Sequence, residues 1–254
     1  MNSEYKLIVS DLDRTLLKND RTIPKTAIRA IQSCAGRNIR FAVATARPLR
    51  SVQEYLAILP CDAVIALNGA VIVHEKKVLY HPIAAESAAS LIKKILEKNR
   101  VRLSAEIEDI LYANFDLSNE LISYIYYPDF PRLPSGRVLK ILVELKESLI
   151  LDEVNGLLGG DVYCSIANHR LIQIMNKRAT KWNGIRYLLE QWGLSSESVV
   201  YFGDDYDDVE PIRKSGMGVA MANAIDPVKQ AANFITGSNE EDGVADFLLR
   251  YILN

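Results

Sequence analysis

The chain reads as an α/β protein: a parallel-sheet domain interrupted by an inserted α+β domain. Three observations carry that reading. Short apolar strands alternate with helical spacing in both terminal thirds, the signature of a sheet wrapped by helices. Short strands dominate the middle of the chain instead. Acidic loops follow buried-looking strands in both terminal segments, at Asp11-Leu12-Asp13 and at Asp204-Asp205-Tyr206-Asp207-Asp208.

In chain order, Tyr5–Val9 is the first apolar strand, and Thr22 and Pro24 supply an N-cap and a first-turn proline. Ala27, Ile28, Ile31, Cys34 and Ala35 recur at helical spacing, and Ile39–Ala44 is a second strand. Pro48 opens the next helix, with Val52, Tyr55, Leu56 and Leu59 as its inner face. Ala63–Leu67 is a third strand, closed by Asn68-Gly69, a strong turn signal. A hairpin at residues 71–80 and a helix over 85–98 follow.

From Val101 to Asn176 the expected strands are 101–106, 110–115, 138–145, 162–167 and 171–175. A weak helical stretch is expected near Ser118–Tyr126 and a helix near Leu149–Leu158, with a loop carrying Pro128, Pro131 and Pro134 between them. Asn168-His169-Arg170 reads as a hairpin tip. From Thr180 the alternation resumes: a helix stopped by Gly193, strands at 198–202, 217–221 and 234–236, a helix from Pro227 and an amphipathic C-terminal helix. The expected division is a core of 1–82 with 180–254, and an insert of 83–179.

At 254 residues the chain exceeds the usual ~100–150 residues of one domain. A net charge of −2 gives no basic footprint for nucleic acid. Cys34, Cys61 and Cys164 lack metal-ligand spacing and read as reduced, buried thiols. No signal peptide and no apolar run near the ~20 residues of a membrane span are evident. A soluble, cytoplasmic protein is expected, with neither nucleic acid nor membrane as a partner, and its oligomeric state is open.

A lone Asp-x-Asp after a strand is usually a turn. Four carboxylates in the five residues 204–208 are harder to explain structurally. A helix N-terminus favours one or two acids, but clustered like charges repel. A hard cation resolves the repulsion, and Mg²⁺ takes a few carboxylates plus waters and phosphate oxygens. If both acidic loops share one sheet edge, they bracket one metal. Lys181, beside the first turn of a helix, faces the unfavourable dipole end unless an anion sits there. Thr45 offers a hydroxyl, or an N-cap for the Pro48 helix. Arg47 reads equally as a substrate contact or an ion-pair partner.

Together these segments resemble the haloacid dehalogenase superfamily, and within it the Cof-like phosphatases with a large α/β (type IIB) cap. Asp11-Leu12-Asp13-Arg14-Thr15 resembles the first motif, Thr45-Ala46-Arg47 the second and Lys181 the third. Gly203 to Asp208, continued by Gly216–Ala224, resembles the fourth, and Asn68-Gly69-Ala70 the turn before the cap. The departures are Arg14 and Ala46 where Gly is usual, and Asp205 and Asp207 where Asn is common.

The resemblance implies a Rossmann-like core with an inserted cap, and a phosphatase acting on small phosphorylated metabolites through an aspartyl-phosphate. It implies Asp11, Asp13 and Lys181 as catalytic residues. It places Thr45, Ala46, Arg47, Asn68, Gly69, Lys181 and Asp207 around the phosphate, and Mg²⁺ on Asp11, Asp13, Asp204 and Asp208. A phosphosugar mutase and a phospho-accepting signalling module are the competing readings. A nucleotide-dependent dehydrogenase is excluded, because the first strand leads into Asp-Leu-Asp-Arg-Thr and not a Gly-rich turn.

Overall fold

The computed structural model describes residues 5–98, 101–119, 122–145, 151–167 and 170–254. The chain divides into two compact units, 1–79 with 180–254, and 80–179. The sequence reading placed the first break at 82. Residues 80–82 fall in the second unit because Asn176 Nδ2 donates to Pro82 O (2.8 Å) and Ile83 bridges Val138.

The strands of the first unit are β1 (Leu7–Ser10), β2 (Arg40–Ala44), β3 (Ala63–Ala66), β4 (Val71–His74) and β5 (Lys77–Tyr80). The second unit supplies β6 (Leu103–Ile107), β7 (Ile110–Ala113), β8 (Tyr124–Tyr126), β9 (Val138–Glu144), β10 (Val162–Ala167) and β11 (Leu171–Asn176). The chain then returns to the first unit with β12 (Val199–Gly203), β13 (Met217–Ala220) and β14 (Phe234–Ile235).

The first unit's sheet has the order β14-β13-β12-β1-β2-β3-β4-β5, parallel from β14 to β3, with β4 antiparallel to β3. Both faces of the central strands are covered, which is why they read as continuous apolar runs rather than alternating ones. Every residue of β1 and β12 is buried. The chain builds outward from β1 through β2 and β3, then restarts on β1's other side with β12. That reversal is the topological switch point, and ligands of open α/β sheets bind beyond the strand ends there.

The second unit is a sheet of order β10-β11-β9-β6-β7-β8, antiparallel except where β8 runs parallel to β7. Ile141, Val143, Leu103, Ile172 and Ile174 pack with Leu91, Ile92 and Ile95 of helix Ala85–Lys98 in one apolar core. Among the described residues, no helix is long and apolar enough to cross a membrane.

Several expected elements differ. Thr22 caps no helix; its N–H and hydroxyl both donate to Asp20, and Pro24 itself occupies the N-cap of helix Lys25–Ala35. The Pro48 helix is a single tight turn, Leu49–Ser51, followed by helix Gln53–Leu56, although Val52, Tyr55 and Leu59 are buried as expected. The helical stretch near Ser118–Tyr126 ends as strand β8, where pairing with β7 overrides a weak local preference. Helix Leu151–Asn155 stops short of Leu158. Residues 149–150 of that stretch, and Asn168 and His169 of the hairpin tip, lie outside the described residues.

Candidate active site

Parallel pairing of β1 with β12 places Ser10 beside Phe202, and the Asp11 N–H donates to Phe202 O (3.0 Å). The loops beginning at Asp11 and Asp204 therefore leave the same edge side by side. Oxygens of Asp11, Asp204 and Asp208 all lie within 4.8 Å of one another, and all three residues are buried. Close approach requires Gly203, since a Cβ there would stand 2.5 Å from Asp208 Cβ.

Lys181 enters from the first turn of helix Lys181–Trp192. Thr180 caps that helix by accepting from Asn183 N (3.1 Å). The Lys181 ammonium donates to Asp11 Oδ1 (2.6 Å) and Asp208 Oδ1 (2.7 Å). Asp208 Oδ1 also accepts from the Tyr201 hydroxyl (2.6 Å), and its Oδ2 accepts from Asp204 N (2.9 Å) and Asp205 N (3.0 Å). Both oxygens of Asp208 are thus engaged. Asp208 thereby brackets Lys181 and the acidic loop while standing within the same three-carboxylate group as Asp11 and Asp204.

The remaining carboxylates carry the strain of shared negative charge. Burial pushes the Asp11 carboxyl well above its usual range; Lys181 opposes that, while Asp208 and Asp204 add to it. Burial, followed by Asp208, pushes Asp204 up to about 7, against the Thr15 hydrogen bond, Lys181 and Arg14. Burial alone would lower the Lys181 pKa, but Asp11 and Asp208 outweigh it and hold the ammonium well above its ordinary value. Three buried carboxylates around one buried ammonium leave hard oxygen donors in excess, a set that suits a divalent cation of the Mg²⁺ type. The residues present fit such a metal.

Asp13 follows a different course. Its side chain is half-exposed and receives Arg47 through two bonds, Nε to Oδ2 (2.7 Å) and Nη2 to Oδ1 (2.5 Å). Arg47 also lies over the Tyr55 ring, 5.4 Å from its centroid. Arg47 is therefore the ion-pair partner of Asp13 here, and the hydrogen bonds to Asp13 are the first reason its own pKa is raised.

Thr45 is buried at the end of β2. Its Oγ1 accepts from Arg47 N (3.1 Å), a local turn and not a helix cap, so its hydroxyl proton can still be donated. Ala46 is exposed beside it. Leu67, Asn68 and Gly69 have φ of 46°, 52° and 101°. Gly69 is required, because a Cβ there would meet Thr180 O at 2.5 Å. Asn68 Nδ2 donates to Asp207 Oδ2 (2.6 Å). By accepting that bond, Asp207 orients the Asn68 amide.

Three contributors lie outside the expected site. Thr15 donates to Asp204 Oδ1 (2.9 Å), Tyr201 donates to Asp208, and Asn223 Nδ2 donates to Arg14 O (2.8 Å). The signal for Tyr201 was a lone hydroxyl within the apolar run Val199-Val200-Tyr201-Phe202.

Comparison with known proteins agrees with this geometry. The family model described as haloacid dehalogenase-like hydrolase matches residues 8–248. A 5-amino-6-(5-phospho-D-ribitylamino)uracil phosphatase of Bacillus subtilis, YitU, is 29% identical over 99% of each chain. An Escherichia coli protein of the same description, YbjI, is 27% identical over 96% of this chain and 94% of its own. The crystal structure of a haloacid dehalogenase-like hydrolase from Bacteroides thetaiotaomicron superposes with a TM-score of 0.83. It has 25% identity and covers 97% of this chain and 99% of its own.

Proposed function

The chain belongs to the haloacid dehalogenase-like hydrolases, and from that membership we propose that it is a magnesium-dependent phosphatase of small phosphorylated metabolites. The observation that carries the proposal is the meeting of Asp11, Asp204 and Lys181 at the switch point of the sheet.

In the proposed reaction Asp11 attacks phosphorus, forming the Asp–O–P bond as the bond to the leaving oxygen breaks, a covalent route open to carboxylates. Lys181 neutralises the phosphoryl oxygens and opposes protonation of Asp11. Asp13 protonates the leaving oxygen, then takes a proton from the water that attacks phosphorus and frees Asp11. Arg47 positions Asp13 through its two hydrogen bonds. Thr45 donates to a phosphoryl oxygen. When bound, Mg²⁺ would be held by Asp11, Asp204 and the Asp13 backbone carbonyl, and would supply positive charge against the transferring group.

The unit 80–179 would select the leaving group and act as a lid. The phosphorylated ribityl compound named for the Bacillus subtilis relative makes phosphorylated polyols and sugars the first esters to try.

The test is phosphate release from a small generic ester and from a panel of phosphorylated metabolites, with Mg²⁺ and with EDTA. Release that EDTA abolishes supports the proposal, and equal release without metal contradicts it. Isomerised sugar phosphate would instead favour a mutase, and stoichiometric phosphorylation without turnover a signalling module.

A further inference from the structure

We propose that Arg14 is a resident counter-cation of the acidic cluster, competing with the divalent metal for Asp204 and so setting the affinity of the site. The inference rests on the phosphatase reading above, which places a metal on Asp204.

The backbone comes first. Arg14 has φ 59°, in the left-handed region that residues with a Cβ enter at a cost. A chain of asparagines holds it there. Asn223 Nδ2 donates to Arg14 O (2.8 Å), Asn223 Oδ1 accepts from Asn239 N (3.0 Å), and Asn239 Nδ2 donates to Leu17 O (3.0 Å). The kinked loop is thereby fixed on both sides of Arg14, and the side chain lies between Asn223, whose carbonyl accepts from Nη2 (3.3 Å), and Asp204.

The charge follows. Arg14 Nε lies 3.8 Å from Asp204 Oδ2, while Thr15 donates to the other oxygen, Oδ1 (2.9 Å). Thr15 thus hydrogen-bonds one oxygen of this buried carboxylate, while the Arg14 guanidinium faces the other as a charge, without a hydrogen bond. Lys181 donates to Asp11 and to Asp208. Among the described residues, the cation paired with Asp204 is Arg14. Without a metal, Arg14 adds to Lys181 in offsetting the repulsion that Asp208 imposes on Asp204.

The same pairing opposes metal binding. An incoming dication must displace the guanidinium from Asp204 and remain near a like charge. The Arg14 side chain is 59% exposed, so it can turn into water, and the competition is screened and modest. Exposed pairs couple weakly, and doubling that for a dication gives a competition of about two- to thirtyfold in the dissociation constant.

The experiment is calorimetric titration of Mg²⁺ into EDTA-stripped, dialysed full-length protein, comparing wild type with Arg14→Asn, Arg14→Gly and Arg14→Lys. Asparagine and glycine tolerate the left-handed backbone, and circular dichroism checks that each variant is folded. At low salt, Arg14→Asn and Arg14→Gly are expected to bind Mg²⁺ about two- to thirtyfold more tightly than wild type. Arg14→Lys should stay near wild type, and the difference should shrink at about 0.5 M salt, where charges beyond a few ångströms are screened. Equal or weaker binding by folded Arg14→Asn overturns the proposal while leaving the metal site standing. No binding by any of the four proteins overturns the metal site itself, and this inference with it.

Discussion

Asp11 and Asp13 stand two residues apart on one loop, yet their surroundings are opposite. Asp11 is buried against Lys181, whereas Asp13 is half-exposed against Arg47. Asp13→Asn keeps the nucleophile and the backbone carbonyl but loses the proton shuttle. Such catalysis is worth typically 10²–10⁴-fold, so turnover of alkyl phosphates should fall by about that factor. The first chemical step with a p-nitrophenyl ester, whose leaving group needs little protonation, should fall far less. Burst kinetics across leaving groups of graded basicity check this, and an equal fall for all of them would contradict the acid role.

A second residue-scale prediction follows from Asp204, which burial and Asp208 push up to about 7 in the metal-free protein. An unfolded aspartate titrates near ~3.9, so the folded state binds the extra proton. That contribution to stability is full below about 4 and is lost as pH rises through about 7. A divalent ion needs the ionised carboxylate. The rise in melting temperature caused by Mg²⁺ over EDTA should therefore be small at pH 5.5 and largest above 7. A rise that is flat over this range would contradict the cluster as the metal site.

At the scale of elements, the site depends on how strands and one helix end meet. β12 delivers Tyr201 and Gly203 inward, and Gly203 lets Asp208 fold back onto the strand that precedes it. Gly203→Ala would force a Cβ to within 2.5 Å of Asp208 Cβ. Overpacking of this kind typically costs about 1–3 kcal/mol, and here it also displaces the bracket on Lys181. Denaturant unfolding should show that loss, accompanied by a larger fall in kcat than in substrate affinity. Unchanged stability and activity would mean that Asp208 is not held as described.

Much of this level was legible in the sequence. Apolar runs ending in acids located β1 and β12, while the sharing of one sheet edge by the Asp11 and Asp204 loops stayed a condition until the β1–β12 pairing was seen. An ion pair was one of two readings of Arg47, but its partner Asp13 was not named, because spacing alone cannot say which loop an arginine crosses to. Tyr201 was hidden because its ring satisfies the apolar pattern of a buried strand while its hydroxyl meets Asp208. The stretch that becomes β8 was misread as helix because its strand character comes from β7, a partner that no local pattern reveals.

For the whole molecule, the division of labour is the main expectation. The first unit holds the acidic cluster, Lys181 and Thr45, none of which reads a leaving group. Replacing residues 80–179 with the corresponding segment of another family member should change which esters are cleaved and leave the requirement for Asp11 and a divalent metal unchanged. A folded, active chimera with the original substrate ranking would contradict that division. The insertion itself was legible from the change of pattern after the third strand. Its boundary was placed three residues late, because Pro82 ends a hairpin locally while its carbonyl is bound by Asn176, 94 residues along the chain.

The central claim, that Asp11 carries the phosphoryl group, is tested most directly by trapping it. Asp13→Asn protein is mixed with Mg²⁺ and a p-nitrophenyl ester, quenched in acid within the first turnover, digested and mapped by mass spectrometry. Phosphate on the peptide containing Asp11, and none in the Asp11→Asn, Asp13→Asn double variant, is the expected result. Phosphate on any other residue, or undiminished turnover by the Asp11→Asn protein, would contradict the assignment.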